Sequence, residues 1–342
     1  MKIESKKLRL SKDKCAQIHV SKNKLAKCYS DLKVHGESMK KVNDGTYLGD
    51  IISQDGTIDK NIENRRQKGI GIFSQVTGMM NNISLGIFFY KISFTLRDAM
   101  LLNGILTNIE VWNHLKNKHV EILESVDLML IRNIMNAHCM TAKEAFFLEA
   151  GLLPIEKVVV KRRLMYLWNI MARDDDELLK RFYLAQKLCK TKDDWAEVIE
   201  KDKKDYGIDL SDEEISSMKR NRFLKIVHEA VQRKALEDLN KVADSHSKSR
   251  NLMKANLDRE KYLEDPRFSK SDVELLFSLR TRMIDVKSNF SNKYGDDVAC
   301  RTCNVNVVIE SQEHILNCDG LDDKLVKGKV DGDCAESLRE QL

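Results

Sequence analysis

Only two prolines, Pro154 and Pro266, interrupt 342 residues. Proline removes a backbone donor and clashes with the preceding turn, so it ends or kinks a helix. Here almost nothing stops a helix from running on. Charged residues make up 32 % of the chain and aromatics 6 %. Strands favour β-branched and aromatic side chains, so this balance points to long helices with charged outer faces. The expected fold is mainly α.

The first 56 residues are the exception. Ala16, Ile18 and Val20 alternate with Gln17 and His19, His35-Gly36-Glu37-Ser38 is a plausible tight turn, and Tyr47 to Ser53 is strand-like before the turn residues Gln54-Asp55-Gly56. These predict a small antiparallel β start with too few strands to stand alone. After Gly56 the period turns helical: Ile58, Ile62, Ile70, Phe73 and Val76 lie near one face. Helices are expected from there to about residue 290. Capping boxes are expected at Thr141–Glu144, Ser211–Glu214 and Ser271–Glu274, a helix end at Gly151 and a first helical turn at Pro154. Leu276, Leu279, Met283, Val286 and Phe290 are spaced as one helical stripe, Asp244 to Asn251 is a polar linker, and the charged segment after Gly320 is expected to be weakly ordered.

The most specific chemical signal is Cys300-x2-Cys303-x10-His314-x3-Cys318. Two cysteines two apart chelate one ion from a tight turn, and His314 and Cys318 share a face if their segment is helical, with Ser311 as its N-cap. Four soft ligands with no spare position describe a closed, structural Zn2+ site. Just before it, Tyr294-Gly295-Asp296-Asp297 spells a tetrapeptide used at polymerase catalytic centres. That chemistry needs an apolar strand immediately before the carboxylates. A helical stripe and the polar Ser291-Asn292-Lys293 precede it instead, so it is expected to be a loop.

The net charge of +5 permits an acidic partner without requiring one, so the placement of cations matters. Arg65, Arg66 and Lys68 form one cluster, Lys161, Arg162 and Arg163 a second, and Arg280, Arg282 and Lys287 flank the late stripe. Each could contact a nucleic-acid backbone, or could pair with local acids on a solvated face. The start is highly charged and carries no signal-peptide pattern, and Lys91, Arg97, Asp98 and Glu110 break the most apolar stretch. An intracellular protein, in nucleus or cytoplasm and neither secreted nor membrane-spanning, is expected, with reduced thiols.

Taken in order, these segments resemble the C-terminal part of reverse transcriptases from non-LTR retrotransposons. Lys7 to Val20 looks like a late palm strand, and Tyr47-Leu48-Gly49-Asp50-Ile51-Ile52-Ser53-Gln54-Asp55-Gly56 like the primer-grip hairpin. Ala99 to Trp112 is similar to a thumb stretch, Leu148 to Leu167 to the helix pair beyond it, and Leu276 to Tyr294 with the cysteines to the family's late zinc-knuckle region. The resemblance implies a palm end at 1–56, a helical thumb at 57–205, a helical linker at 206–295, a zinc-knuckle module at 296–320 and a tail at 321–342. It implies RNA, an RNA–DNA hybrid or DNA as partner, with Tyr47, Leu48 and Gly49 supporting the primer end. The parent activity would be RNA-directed DNA synthesis. Its catalytic carboxylates and their Mg2+ would belong to a longer parent enzyme, so this chain alone is expected to be inactive, a fragment that holds template and primer. The alternative is a zinc-stabilised helical module for protein partners, or a decaying element without function.

Overall fold

The computed structural model describes residues 15–20, 31–34, 36–47, 49–82, 88–112, 115–189, 194–301, 303 and 308–318. Leu48, most of the Lys7–Val20 stretch and the segment after Gly320 lie outside these residues.

The chain opens on short strands: β1 (Ala16–Gln17), β2 (Lys33–Val34), β3 (Glu37–Ser38), β4 (Lys40–Lys41), β5 (Asp44–Tyr47) and β6 (Asp50–Ser53). β2–β3 and β5–β6 are antiparallel hairpins. β1 pairs with β4 in parallel, where only antiparallel pairing was expected. The hairpin between them brings the chain back in the same direction, and Val42 N donates to Gln17 O at 3.0 Å. Gly49 turns the second hairpin at φ 90°, a conformation that costs most side chains strain.

Helices follow: α1 (Asp59–Asn82), α2 (Phe89–Leu96), α3 (Asn103–Ile105), α4 (Asn117–Ile134), α5 (Lys143–Ala150), α6 (Ile155–Met171), α7 (Leu178–Cys189), α8 (Trp195–Asp205), α9 (Asp212–Ser217), α10 (Arg220–Ser245), α11 (Lys270–Arg280), α12 (Ser291–Tyr294) and α13 (Gln312–Leu316). The chain is mainly α, as its composition predicts. A π-helical stretch, Arg97–Leu102, joins α2 to α3. Its Arg97 is buried, and Nε and Nη2 each donate to a carboxylate oxygen of the fully buried Asp127 at 2.6 Å.

Two hydrophobic clusters hold the helices. The first gathers α1, α2, α4, α5 and α11, with Phe146 stacked on Phe277 at 5.6 Å between ring centroids. The second gathers α7, α8 and α9 around Leu164, Leu167, Ile199 and Phe223. α6 and α10 pack along one another and supply residues to both clusters, so they form a shared spine.

Local signals were legible to different degrees. Ser211 and Glu214 form the expected capping box, and Gly151 ends α5 in the left-handed region at φ 61°. A side chain at Gly151 would also meet the backbone nitrogen of Arg259 at 2.5 Å. Thr141 does not cap α5: Ala142 is the N-cap, and Glu144 is drawn instead to His246 Nδ1 and Ser249 Oγ, both at 2.7 Å. The box expected at Ser271 begins two residues earlier, between Ser269 and Asp272. The late apolar stripe is not one helix. α11 ends at Arg280, Arg282 turns left-handed at φ 55°, and Met283 N closes on Ser278 O at 2.7 Å in a Schellman arrangement. Leu276, Leu279, Met283 and Val286 are buried all the same.

Candidate functional site

Ala299 and Ile309 form an antiparallel bridge, with Cys300 N donating to Val308 O at 2.9 Å and Glu310 N to Val298 O at 2.7 Å. Ser311 then caps α13 by accepting from His314 N at 3.1 Å. This short bridge-and-helix unit brings the four expected ligands together. Cys300 and Cys318 are buried and Cys303 and His314 half-buried, and all four ligand atoms lie within 4.8 Å of one another. Cys300 Sγ is 4.0 Å from Cys318 Sγ, and Cys303 Sγ is 3.5 Å from His314 Nε2. Tetrahedral coordination at metal–ligand distances of 2.0–2.3 Å sets ligand–ligand edges of roughly 3.4–3.8 Å. The cluster could therefore hold a metal ion.

A carboxylate that the sequence reading passed over organises this unit. Glu310 is 1 % exposed and accepts from the backbone nitrogens of Arg301 (2.8 Å) and Lys287 (3.3 Å). Arg301 Nε lies 2.9 Å from both its oxygens. That guanidinium holds the Glu310 carboxyl below its ordinary range. The signal was weak: one acid in a strand-like run, which spacing alone cannot mark as buried.

The polymerase-like tetrapeptide is a connection. Tyr294 ends α12, its hydroxyl donates to Asp285 at 2.8 Å and accepts from Arg301 at 3.0 Å, and Gly295 turns at φ 62°. Asp297 pairs with Lys287 at 2.6 Å and Asp296 faces solvent. The two carboxylates serve different surroundings.

At the other end of the chain, Tyr47 and Gly49 stand exposed at the tip of β5–β6, with Tyr47 66 % accessible. The hairpin is tied to the helices through Asp50. Its Oδ1 accepts from Asn61 Nδ2 (3.1 Å) and from Arg65, and its Oδ2 from Asn108 Nδ2 (2.8 Å). Burial pushes the Asp50 carboxyl up, but the hydrogen bonds from Asn108, Asn61 and Arg65 outweigh it and leave the group below its ordinary value. The sequence reading included Asp50 in the hairpin motif and gave it no role.

The cations chosen from sequence divide into struts and surface groups. Arg65 is 2 % exposed, bonded to Asp50 and to Gly104 O at 3.3 Å. Arg162 donates to Leu106 O (2.8 Å) and Asn103 Oδ1 (2.7 Å), and Arg163 is buried beside Asp202. Lys161 lies 3.2 Å from His228 Nδ1, and burial lowers its pKa. Arg280 grips Glu149 with two bonds of 2.8 and 3.0 Å, and Lys287 is buried against Asp297. Arg66 pairs with Glu63 at 3.0 Å and Arg282 with Glu313 at 3.1 Å, both partly exposed, while Lys68 is exposed. Of the first cluster only Arg66 and Lys68 reach the surface, while Lys161, Arg162 and Arg163 are all half-buried or buried.

Among the described residues no helix is long and apolar enough to cross a membrane. No known family model, curated protein or solved structure matches the chain.

Proposed function

We propose that this chain is a reverse-transcriptase-type nucleic-acid-holding protein whose hairpin tip supports the end of an RNA–DNA or DNA duplex, and whose cysteine module is a structural zinc clip. The observation that carries the reading is Tyr47, held out in solvent on a hairpin that Asp50 fastens to α1 and to Asn108. A phenol fixed at a tip supports a sugar or base face without reading sequence. Lys33, Lys40 and Lys41 are exposed on the adjoining strands and Lys68 on α1, with Arg66 partly exposed beside it, where they would neutralise phosphates. Arg65 acts as an internal brace in this reading rather than a phosphate contact.

For the clip, three sulfurs and one imidazole suit zinc, and four protein ligands leave no position for a reacting water. Its role is to hold residues 299–318 in shape. Metal analysis of purified protein should return close to one zinc per chain; none after refolding with zinc overturns this part. For the hairpin, a labelled RNA–DNA hybrid should bind in low salt, weaken steeply as salt rises, and bind less to Tyr47→Ala. No binding in low salt overturns the reading.

One observation favours a second reading, a zinc-stabilised module for protein partners. Leu178, Phe182 and Leu188 on α7 are 83 %, 61 % and 84 % exposed. If Phe182→Ser leaves hybrid binding intact but abolishes self-association or partner capture, this face has a separate use.

A further inference from the structure

α7 meets the rest of the body along one face. Lys180 and Tyr183 are buried there: Lys180 Nζ donates to Met171 O at 3.1 Å and Arg173 O at 2.9 Å, and the Tyr183 ring stands edge-on to Trp195 at 5.7 Å. Lys187 reaches Asp212 at 2.7 Å on the same side. The opposite face carries Leu178, Phe182, Ala185 and Cys189, all exposed and three or four residues apart, with exposed Leu188 at its edge. The outer face of a surface helix is ordinarily polar and charged. Along α7, Arg181 alone adds an exposed charge to it.

The apolar surface continues beside the helix. Val111, itself 46 % exposed, lines a hollow of about 150 Å³ with Tyr166, Ile170 and Leu179, next to Phe182. A cavity of about that size holds a benzene ring, so it has room for a leucine side chain. Projecting leucines and a hollow that fits one thus occupy the same surface. A two-fold interface requires this self-complementarity, because each copy must both give and receive.

Size and charge narrow the partner. The exposed parts of Leu178, Phe182, Leu188 and Val111 come to roughly 500 Å² on one chain and about 1,000 Å² for a pair, where specific interfaces begin. Monomers rarely leave a contiguous apolar patch larger than a few hundred Å². Asp174, Asp175, Asp176 and Glu177, all exposed, lead into the helix and would repel a nucleic-acid backbone or an anionic lipid surface. We propose that this face pairs with the same face of a second copy, making a two-fold dimer across α7. This deepens the protein-partner reading above by naming the partner.

The test is the mass of the full chain by sedimentation velocity, in reducing buffer so that the exposed Cys139 and Cys189 cannot cross-link. Between about 1 and 200 µM the mass should rise from one chain to two and stop there, with a Kd on the order of 10 µM for an interface at the lower size limit. Phe182→Ser and Leu188→Ser should each raise that Kd at least ~10-fold. Both side chains are exposed, so neither change threatens the fold, and Val242→Ser, an exposed apolar position on α10, should leave association unchanged. Amides of α7 should gain protection from hydrogen exchange as concentration rises, in the unaltered chain but not in Phe182→Ser. A chain still monomeric at about 200 µM overturns the proposal; if it nevertheless captures a different protein that Phe182→Ser does not, the broader partner reading survives. Growth past two copies without a plateau overturns it as well, because a closed two-fold contact stops at two. So does a dimer that persists with Phe182→Ser and Leu188→Ser combined.

Discussion

In the helical body most of the wholly buried side chains are apolar, such as Phe146, Leu164, Phe223 and Val231, each surrounded by others like it, with the Arg97–Asp127 pair among the exceptions. Between Ala299 and Cys318 the buried side chains among the described residues are Cys300, Glu310 and Cys318. The body removes apolar surface from water, which is non-directional and spread over many residues. The cysteine module has almost no such surface to remove. It has instead a few directional contacts, the Glu310 carboxylate and, in the proposed zinc clip, four ligand atoms, so losing any one of them would remove a large share of what holds it. Small segments that cannot build a core commonly depend on a metal in this way.

The largest expected effect separates the two regions outright. If the module holds the proposed zinc, removing it with a chelator, or replacing Cys300 with Ser, should release the module, since structural zinc contributes roughly 10–16 kcal/mol in zinc-finger peptides. Hydrogen exchange should show lost protection at Cys300 and Glu310 while α6 and α10 stay protected. If the whole chain melts together, the two regions are not independent and the contrast fails.

Next in size is Asp127→Ala, which removes the fully buried partner of Arg97 and leaves it Asp98 at 2.9 Å and Leu153 O at 3.4 Å. Breaking a buried pair from one side costs about 3–5 kcal/mol. Thermal or urea unfolding should show it as a loss across both hydrophobic clusters, with metal content unchanged. A loss under 1 kcal/mol would mean that water reaches Arg97.

Asp202→Asn should act in the opposite direction and depend on pH. The Asp202 carboxyl is raised from its ordinary value to about 6 because burial disfavours its charged form. Its contribution is therefore most favourable below about pH 4 and is lost as pH rises through 6. The neutral amide should stabilise the protein by roughly 2–3 kcal/mol at pH 8 and by almost nothing at pH 4. Equal stability of the two forms at every pH would show that Arg163 fully compensates the charge.

The smallest effect concerns Tyr47. With its side chain exposed, Tyr47→Ala should change stability by less than about 0.5 kcal/mol, and any loss of hybrid binding is then a loss of contact. If the variant unfolds, the tip is part of the fold and not a presented group.

These contrasts explain what was legible. The clustering of the four candidate ligands could be read because chelation fixes spacing along the chain, and Cys300-x2-Cys303 and His314-x3-Cys318 carry such a spacing. The apolar stripe from Leu276 to Phe290 was misread as one helix because periodicity reports which side chains go inward, not which backbone carries them there; the turn at Arg282 keeps Met283 and Val286 buried. Arg65 was grouped with its neighbours in sequence, although it stands three residues after Ile62 and four before Gly69, on the inner face of α1. A cation at such a position is a candidate strut, and its partner, Asp50, lies in a different element and leaves no local trace. The strained turn at Arg282 and the buried Glu310 depend on contacts between distant segments, which no window of sequence contains.

The Asp50 carboxylate has one further implication. A strand, a helix and the left-handed turn at Asn108 all register against its two oxygen atoms. This carboxylate thus indexes the tip of the hairpin to the helical body, while Lys60 on α1 pairs with Asp44 at the far end of β5. Asp50→Glu keeps the charge and every partner but displaces the anchor by one methylene. It should leave the fold intact while shifting where Tyr47 sits, a change in calibration that neither a stability assay nor a spectrum of secondary structure would register.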